Sequence, residues 1–164
     1  MANFDYISSP DFRRSLISDY AEMRRCADTL SWKSAQVLAG SIVECLLVDY
    51  LMSTANSSRT QKDPLKMDLA EIITICRSEK VLSDRTADLC SVVRSYRNLI
   101  HPGRMVRLNE DMPSKTTCEI ATALIDLIVA DIAKTRRATV GLTAEQILAK
   151  IIRDPSCMTI LSHL

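Results

Sequence analysis

Residues 31–53 constrain the fold most strongly, because they form a helix-length stretch with almost no polar face. Apolar residues on all sides of a helix are typical of the central helix of a bundle. Only four polar or charged residues longer than serine interrupt the stretch: Lys33, Gln36, Glu44 and Asp49. They leave no uncharged run of about 18 residues, so a membrane-spanning helix is not predicted. Gly40 and Ser41 indicate where a neighbouring helix can approach closely.

Turn-forming residues are scarce, since the 164 residues include only 3 glycines and 5 prolines. An all-β fold needs a turn every 8–12 residues or so and is therefore disfavoured. Apolar residues at helical spacing predict four further main helices, over residues 11–30, 67–79, 84–100 and 116–137. We therefore expect an all-α, up-and-down helical bundle of about five main helices, followed by a short C-terminal helical extension.

Two helix starts carry recognisable residues. Ser9 followed by Pro10 predicts the beginning of the first helix, with serine as the N-cap. Thr116 and Glu119 resemble a capping box at the beginning of the fifth helix. Residues 104–113 are predicted to form a polar loop between the fourth and fifth helices.

The chain is predicted to form one bundle over residues 1–138, with residues 139–164 as the short extension. Its length suits a single domain with one hydrophobic core. The apolar residues close to Leu164 are unusual at the end of a complete domain. We therefore expect the chain to continue into a larger protein.

Composition limits the classes of function. The net charge of +1 gives no overall attraction to nucleic acid or to an anionic membrane, so any such attraction must be local. The first residues lack a charged segment followed by an apolar run, so no signal peptide is predicted. The six cysteines form no C-x-x-C pair and are expected to be reduced thiols of a cytoplasmic protein. With only two histidines, His101 and His163, neither a metal site nor a cofactor is predicted.

The stretch from Leu89 to Asn109 is the one sizeable segment with a single sign of charge. It has no acidic residue, but it contains four arginines and a histidine: Arg94, Arg97, Arg104, Arg107 and His101. On a helix, Arg94, Arg97 and His101 share one face, and Asn98 lies at its edge. Guanidinium groups bind phosphate and offset charge in a transition state, while histidine moves protons near neutral pH. The pattern indicates a phosphodiester-handling site that requires no metal.

Structural interpretations of the same residues stay open. A histidine at a helix end, here before Pro102 and Gly103, is often a C-terminal cap favoured by the helix dipole. Arginines at helical spacing are often a solvated face. One of them is alternatively the partner of Glu44, because a carboxylate in an apolar helix must be paired or neutral.

The string from Val93 to Gly103 follows an apolar helix with Glu44, precedes a long apolar helix, and resembles HEPN domains. The resemblance covers roughly residues 10–137, and its specific part is the Arg-Asn…His segment. HEPN domains are helical bundles of prokaryotic toxin–antitoxin, abortive-infection and other defence systems. Their active members are metal-independent ribonucleases with an arginine, four to six residues, and then a histidine.

Two arginines compete for the role of the motif arginine. Six residues separate Arg94 from His101, which meets the spacing, whereas only three separate Arg97 from His101. Arg97 instead has the expected polar follower, Asn98. The resemblance implies that His101 acts as general base or acid on a ribose 2′-hydroxyl and that Arg94 and Arg97 hold the scissile phosphate. It also implies products that end in a 2′,3′-cyclic phosphate and a 5′-hydroxyl.

Other residues are expected to support this chemistry. The substrate-binding candidates are Asn98, Arg104 and Arg107. Glu44 is expected to orient Arg97 or Arg94 by pairing with its guanidinium.

The resemblance predicts an RNA-targeting endoribonuclease in a defence or toxin–antitoxin system. Its partner is RNA, no membrane is involved, and two copies pair so that both motifs face one cleft. One alternative is a catalytically inactive HEPN module for dimerisation, sensing or docking of an effector that lies beyond Leu164. Another is a helical adaptor whose C-terminal apolar residues bind a different protein.

Overall fold

The computed structural model describes residues 3–53, 62–98, 101, 103, 106, 107 and 112–139, with side chains given as far as residue 134. Within this part of the chain five helices pack together and no strand occurs, which confirms the predicted all-α bundle. The helices are α1 (Pro10–Asp28), α2 (Trp32–Ser53), α3 (Leu69–Ser78), α4 (Asp84–Arg97) and α5 (Lys115–Thr139). A 3-10 turn, Pro64–Lys66, precedes α3. The predicted extension after residue 139 lies outside the described residues.

Helix α2 lies at the centre of the bundle, as its apolar sequence predicts. It packs against α1, α3, α4 and α5, and residues on every side of it are buried, among them Ile42, Val43, Leu46 and Leu47. Its length and apolar composition would by themselves allow it to cross a bilayer, but 67% of its most apolar window is buried inside the bundle. The neighbouring helices therefore cover most of its apolar surface.

The start of α1 is held by residues from two helices. Ser9 is the N-cap, its Oγ accepting from the Phe12 N–H at 3.4 Å, and Pro10 is the first helical residue, as predicted. The buried Asp49 of α2 adds a contact that the sequence did not predict. Its carboxylate oxygens accept the backbone N–H groups of Ser8 at 3.1 Å and Ser9 at 2.9 Å. A negative charge at the N-terminus of α1 also interacts favourably with the dipole of that helix.

Helices α1 and α3 end in the same unusual way. Leu30 and Lys80 adopt left-handed φ values of 61° and 59°, and the next residue in each case donates to a carbonyl inside the helix. Glycine usually occupies this position, because a side chain there costs about 1 kcal/mol or more. Leu30 is 65% exposed rather than packed on the apolar face. Helix α1 ends at Asp28, so the prediction of a helix as far as residue 30 is two residues too long.

The connection from α4 to α5 also differs from the prediction. Helix α4 ends at Arg97 rather than near residue 100. Residues 106 and 107 are helical where a loop was predicted. Helix α5 begins at Lys115, because Ser114 and Thr117 each accept the other's backbone N–H, at 3.3 and 2.9 Å. The predicted capping box at Thr116 is therefore wrong, and Ser114 is the cap.

Candidate functional site

Helices α2 and α4 approach each other closely at Gly40. A Cβ atom built on Gly40 would stand 2.4 Å from the Cβ of Arg97 and 3.0 Å from its Cγ. Both distances are shorter than ordinary van der Waals contact, so the aliphatic part of Arg97 occupies the space of a missing side chain. The close helix contact predicted at Gly40 is confirmed, and the residue that makes it is one of the candidate arginines.

The side chain of Arg97 extends from Gly40 to the carboxylate of Glu44. Its Nη2 atom lies 2.8 Å from Glu44 Oε2, and the two side chains are 37% and 28% exposed. The partner predicted for Glu44 is therefore Arg97. Because helical side chains lean towards the N-terminus of their own helix, this direction shows that α4 runs antiparallel to α2. The guanidinium keeps one edge on Glu44 and remains partly open to solvent.

Arg94 lies on the part of α4 that faces the start of α3. Asp68, the N-cap of α3, has a pKa lowered first by the hydrogen bond from the Glu71 N–H, and the charge of Arg94 contributes to the lowering. Arg94 itself is partly buried. The two candidate arginines therefore have different acidic neighbours, Glu44 for Arg97 and Asp68 for Arg94.

Asn98 and His101 lie just beyond the end of α4. The backbone N–H of Asn98 donates to the carbonyls of Ser95 and Tyr96, which closes the helix. The backbone N–H of His101 donates to the carbonyl of Asn98 at 3.1 Å, and the His101 side chain is exposed. The imidazole is therefore accessible to solvent one turn beyond Arg97. Arg107 is also exposed, whereas Arg104 lies outside the described residues.

A buried glutamine, noted in the sequence only as a polar interruption of α2, lies one turn before Gly40. Gln36 of α2 is fully buried, and its Nε2 donates to Thr117 Oγ1 at 2.6 Å. Its Oε1 has no hydrogen-bond partner among the described residues. Gln36, Gly40 and Glu44 are four residues apart along α2 and share one face. That spacing was the available sequence signal. The Gln36–Thr117 bond and the Gly40–Arg97 contact together place the start of α5 near the end of α4.

Other reactive groups lie away from this face. Five of the six cysteines are in the described part of the chain and are free thiols. Burial raises the pKa of Cys45, Cys76 and Cys90 to about 12. Within the described ranges, no three His, Cys, Asp or Glu side chains come together in a cluster that could hold a metal ion. The residues of the α2–α4 contact and His101 are therefore the best candidates for chemistry.

Comparison with protein-family models, with curated proteins and with solved structures gives no match for this chain. The candidate site consequently rests on the residues of α2, α4 and the segment after α4.

Proposed function

We propose that this chain is an RNA-targeting domain of the HEPN type, which cleaves RNA without a metal ion. It acts as a homodimer in a prokaryotic defence or toxin–antitoxin system. The observation that carries the proposal is the Arg97 guanidinium, held by Glu44 over Gly40 one turn before the exposed His101. A guanidinium held by a carboxylate, one turn before an accessible imidazole in the chain, suits phosphodiester cleavage, because one group binds the phosphate and the other moves the proton.

The proposed reaction begins at a ribose 2′-hydroxyl. The imidazole of His101 removes its proton, the 2′-oxygen attacks the adjacent phosphorus, and the bond from phosphorus to the 5′-oxygen breaks. The leaving 5′-oxygen takes up a proton from solvent water, which gives a 2′,3′-cyclic phosphate and a 5′-hydroxyl. Arginine guanidiniums offset the negative charge that develops on the phosphate oxygens.

The two arginines divide this work in our proposal. Glu44 and Gly40 fix the position of Arg97, so Arg97 holds the phosphate in one place. Arg94 has the motif spacing to His101 and offsets the charge of the transition state. Asn98, Arg104 and Arg107 contact the neighbouring ribose and phosphates.

Cleavage of single-stranded RNA in EDTA tests this function, because EDTA removes contaminating metal-dependent nucleases. We expect His101→Ala to lower the rate at least a hundredfold, the usual contribution of a general acid or base. His163→Ala is the matched control, since it removes the other histidine of the chain. Equal cleavage by the wild type and by His101→Ala, or no cleavage by either, contradicts the proposal.

The arginines have a matched control in Arg85, which is exposed at the opposite end of α4. We expect Arg94→Ala and Arg97→Ala to lower cleavage at least tenfold, whereas Arg85→Ala keeps the wild-type rate. A loss that is equal in all three variants would indicate a general effect of charge rather than a site.

A second candidate function is a HEPN module without catalysis that serves dimerisation or docking. It is favoured by two large apolar side chains on the outer face of α5, Ile120 and Leu127, which are 44% and 51% exposed. They lie seven residues apart and therefore on one face. Absence of cleavage together with loss of the dimer in Leu127→Glu, measured by sedimentation, would support this function instead.

A further inference from the structure

A groove of about 450 Å³ opens where the end of α1, the start of α2 and the first half of α5 meet. Small side chains line part of it, including Ala27, Cys118 and Ala123, and larger apolar ones come from Leu30 and Trp32. Its volume is within the range of small-ligand sites, which runs from about 300 to 1,000 Å³. The only tryptophan of the chain therefore lines a space that can hold a planar ring.

Leu30 has a backbone conformation that favours glycine, and its side chain is mostly exposed at this groove. Lys80 has the same conformation at the end of α3 but does not line the groove. Strained residues of this kind are concentrated at functional sites and ligand contacts. The exposed leucine beside Trp32 is consistent with a side chain that contacts a ligand.

The charges of the groove favour a base over a phosphate as its occupant. Arg24 Nη1 lies 3.8 Å from Asp126 Oδ2, and Lys115 Nζ lies 3.8 Å from Glu119 Oε1. Carboxylates therefore offset the charge of both cations. Asp28 adds a further negative charge. An ionised carboxylate accepts hydrogen bonds but cannot donate them, so it pairs with amino groups such as N4 of cytosine. A neutral aromatic ring with an amino group therefore fits the groove better than an anion does.

The groove lies at the start of α2, before Gly40, on which Arg97 of the candidate site packs. Trp32 is eight residues before Gly40 on α2, which is about 12 Å along the helix. At about 3.4 Å per stacked nucleotide, this distance corresponds to roughly three to four nucleotides. The bond from Gln36 to Thr117 joins α2 to the start of α5 between the two places.

We propose that this groove binds a nucleobase of single-stranded RNA, stacked on Trp32 and contacted by Leu30, a few nucleotides from the scissile phosphate. Asp28 and Glu119 favour bases that carry an amino group, so cytosine binds better than uracil. The site deepens the proposed function and rests on RNA being the substrate.

Ten-residue 2′-O-methyl oligonucleotides test the site, because they resemble RNA but have no 2′-hydroxyl to react. We expect oligocytidine to quench Trp32 fluorescence and to bind at least fivefold more tightly than oligouridine. Trp32→Leu is expected to weaken oligocytidine binding at least fivefold in fluorescence anisotropy, since stacking of one base on an aromatic ring has at least this effect.

Leu30→Gly and Lys80→Gly form a matched pair that separates the ligand contact from folding. Both relieve a left-handed conformation and are expected to raise Tm by about 2–4 °C. Only Leu30→Gly is expected to weaken oligocytidine binding, by about threefold to tenfold. Reduced binding in a more stable variant cannot arise from unfolding.

Several results would overturn the inference. One is an unchanged Trp32 emission on saturation with oligocytidine. A second is equal affinity of the wild type for oligocytidine and oligouridine. A third is equal affinity of the Leu30→Gly and Lys80→Gly variants for oligocytidine. Any of these results with RNA cleavage intact removes the base site and leaves the proposed ribonuclease. Binding as expected without cleavage by the wild-type chain supports the base site and contradicts the ribonuclease.

Discussion

Replacing Gly40 with alanine tests how tightly α4 packs on α2. The added methyl group would stand 2.4 Å from the Cβ of Arg97, and Cβ is part of the rigid base of the side chain rather than its flexible end. Ordinary contact begins at about 3.4 Å, so α4 must move outward by about 1 Å at this point. The Arg97 guanidinium moves with the helix, and its contact with Glu44 lengthens.

The magnitude follows from two opposing effects. Overpacking of a close contact costs about 1–3 kcal/mol, while alanine is favoured over glycine inside a helix by about 1 kcal/mol. The net loss in Gly40→Ala is therefore about 0–2 kcal/mol. Gly103→Ala provides the control, because Gly103 is also helical and a Cβ built there meets nothing within 4 Å. The difference between the two variants isolates the packing cost and should be about 1–3 kcal/mol.

Thermal unfolding followed by circular dichroism at 222 nm measures this difference. We expect Gly40→Ala to melt roughly 2–12 °C below Gly103→Ala, at about 2–4 °C per kcal/mol for a chain of this size. A displacement of about 1 Å is also expected to lower RNA cleavage by about a hundredfold. Equal melting temperatures for the two alanine variants would refute the close contact between Gly40 and Arg97.

Three further predictions concern residues outside the candidate site. Asp49→Ala removes the buried acceptor of two backbone N–H groups, so the free energy of unfolding in urea should fall by about 3 kcal/mol; a loss below about 1 kcal/mol would contradict this role. Burial, with a contribution from Asp126, raises the pKa of Tyr20 to about 12. The stability that this shift provides is present below pH 10 and is lost towards pH 12. From pH 9 to 11 the free energy of unfolding should therefore fall by about 1 kcal/mol more in the wild type than in Tyr20→Phe. Equal losses in the two proteins would contradict the shift. Burial raises the pKa of Cys76 and Cys90 to about 12. Alkylation of these two thiols at pH 8 should therefore be about a thousandfold slower in the folded chain than in the urea-unfolded chain. Peptide mass analysis measures both rates, and equal rates would show that the thiols are accessible.

The sequence contained enough information to predict the central helix and one contact of the site. Apolar residues on all sides of α2, interrupted by charged side chains, favour the middle of a bundle. A carboxylate in such a helix needs a partner, and the arginines of the Arg94–His101 segment were the available cations. Glu44 pairs with Arg97 rather than Arg94, and the aliphatic part of Arg97 packs where Gly40 lacks a side chain.

Other features could not be predicted, because they depend on pairings between distant parts of the chain. Tyr20 donates to Asp126 across 106 positions of sequence, and Gln36 donates to Thr117 across 81. Neither pair has a characteristic local pattern. The end of α1 was placed two residues too late for a different reason, since leucine occupies the left-handed position at which glycine would have indicated a helix end.

The central place of α2 also affects how the chain is synthesised. Its last residue, Ser53, leaves the ribosome well before α4, which begins at Asp84, and α5, which begins at Lys115. At about 5–20 residues per second, the roughly 60 residues between α2 and α5 take about 3–12 s to make. Early in this interval only α1 is available to cover the most apolar helix, and the side that α5 covers stays exposed until the interval ends. Nascent chains are therefore expected to be most prone to aggregate, and to bind chaperones most strongly, between the synthesis of α2 and that of α5.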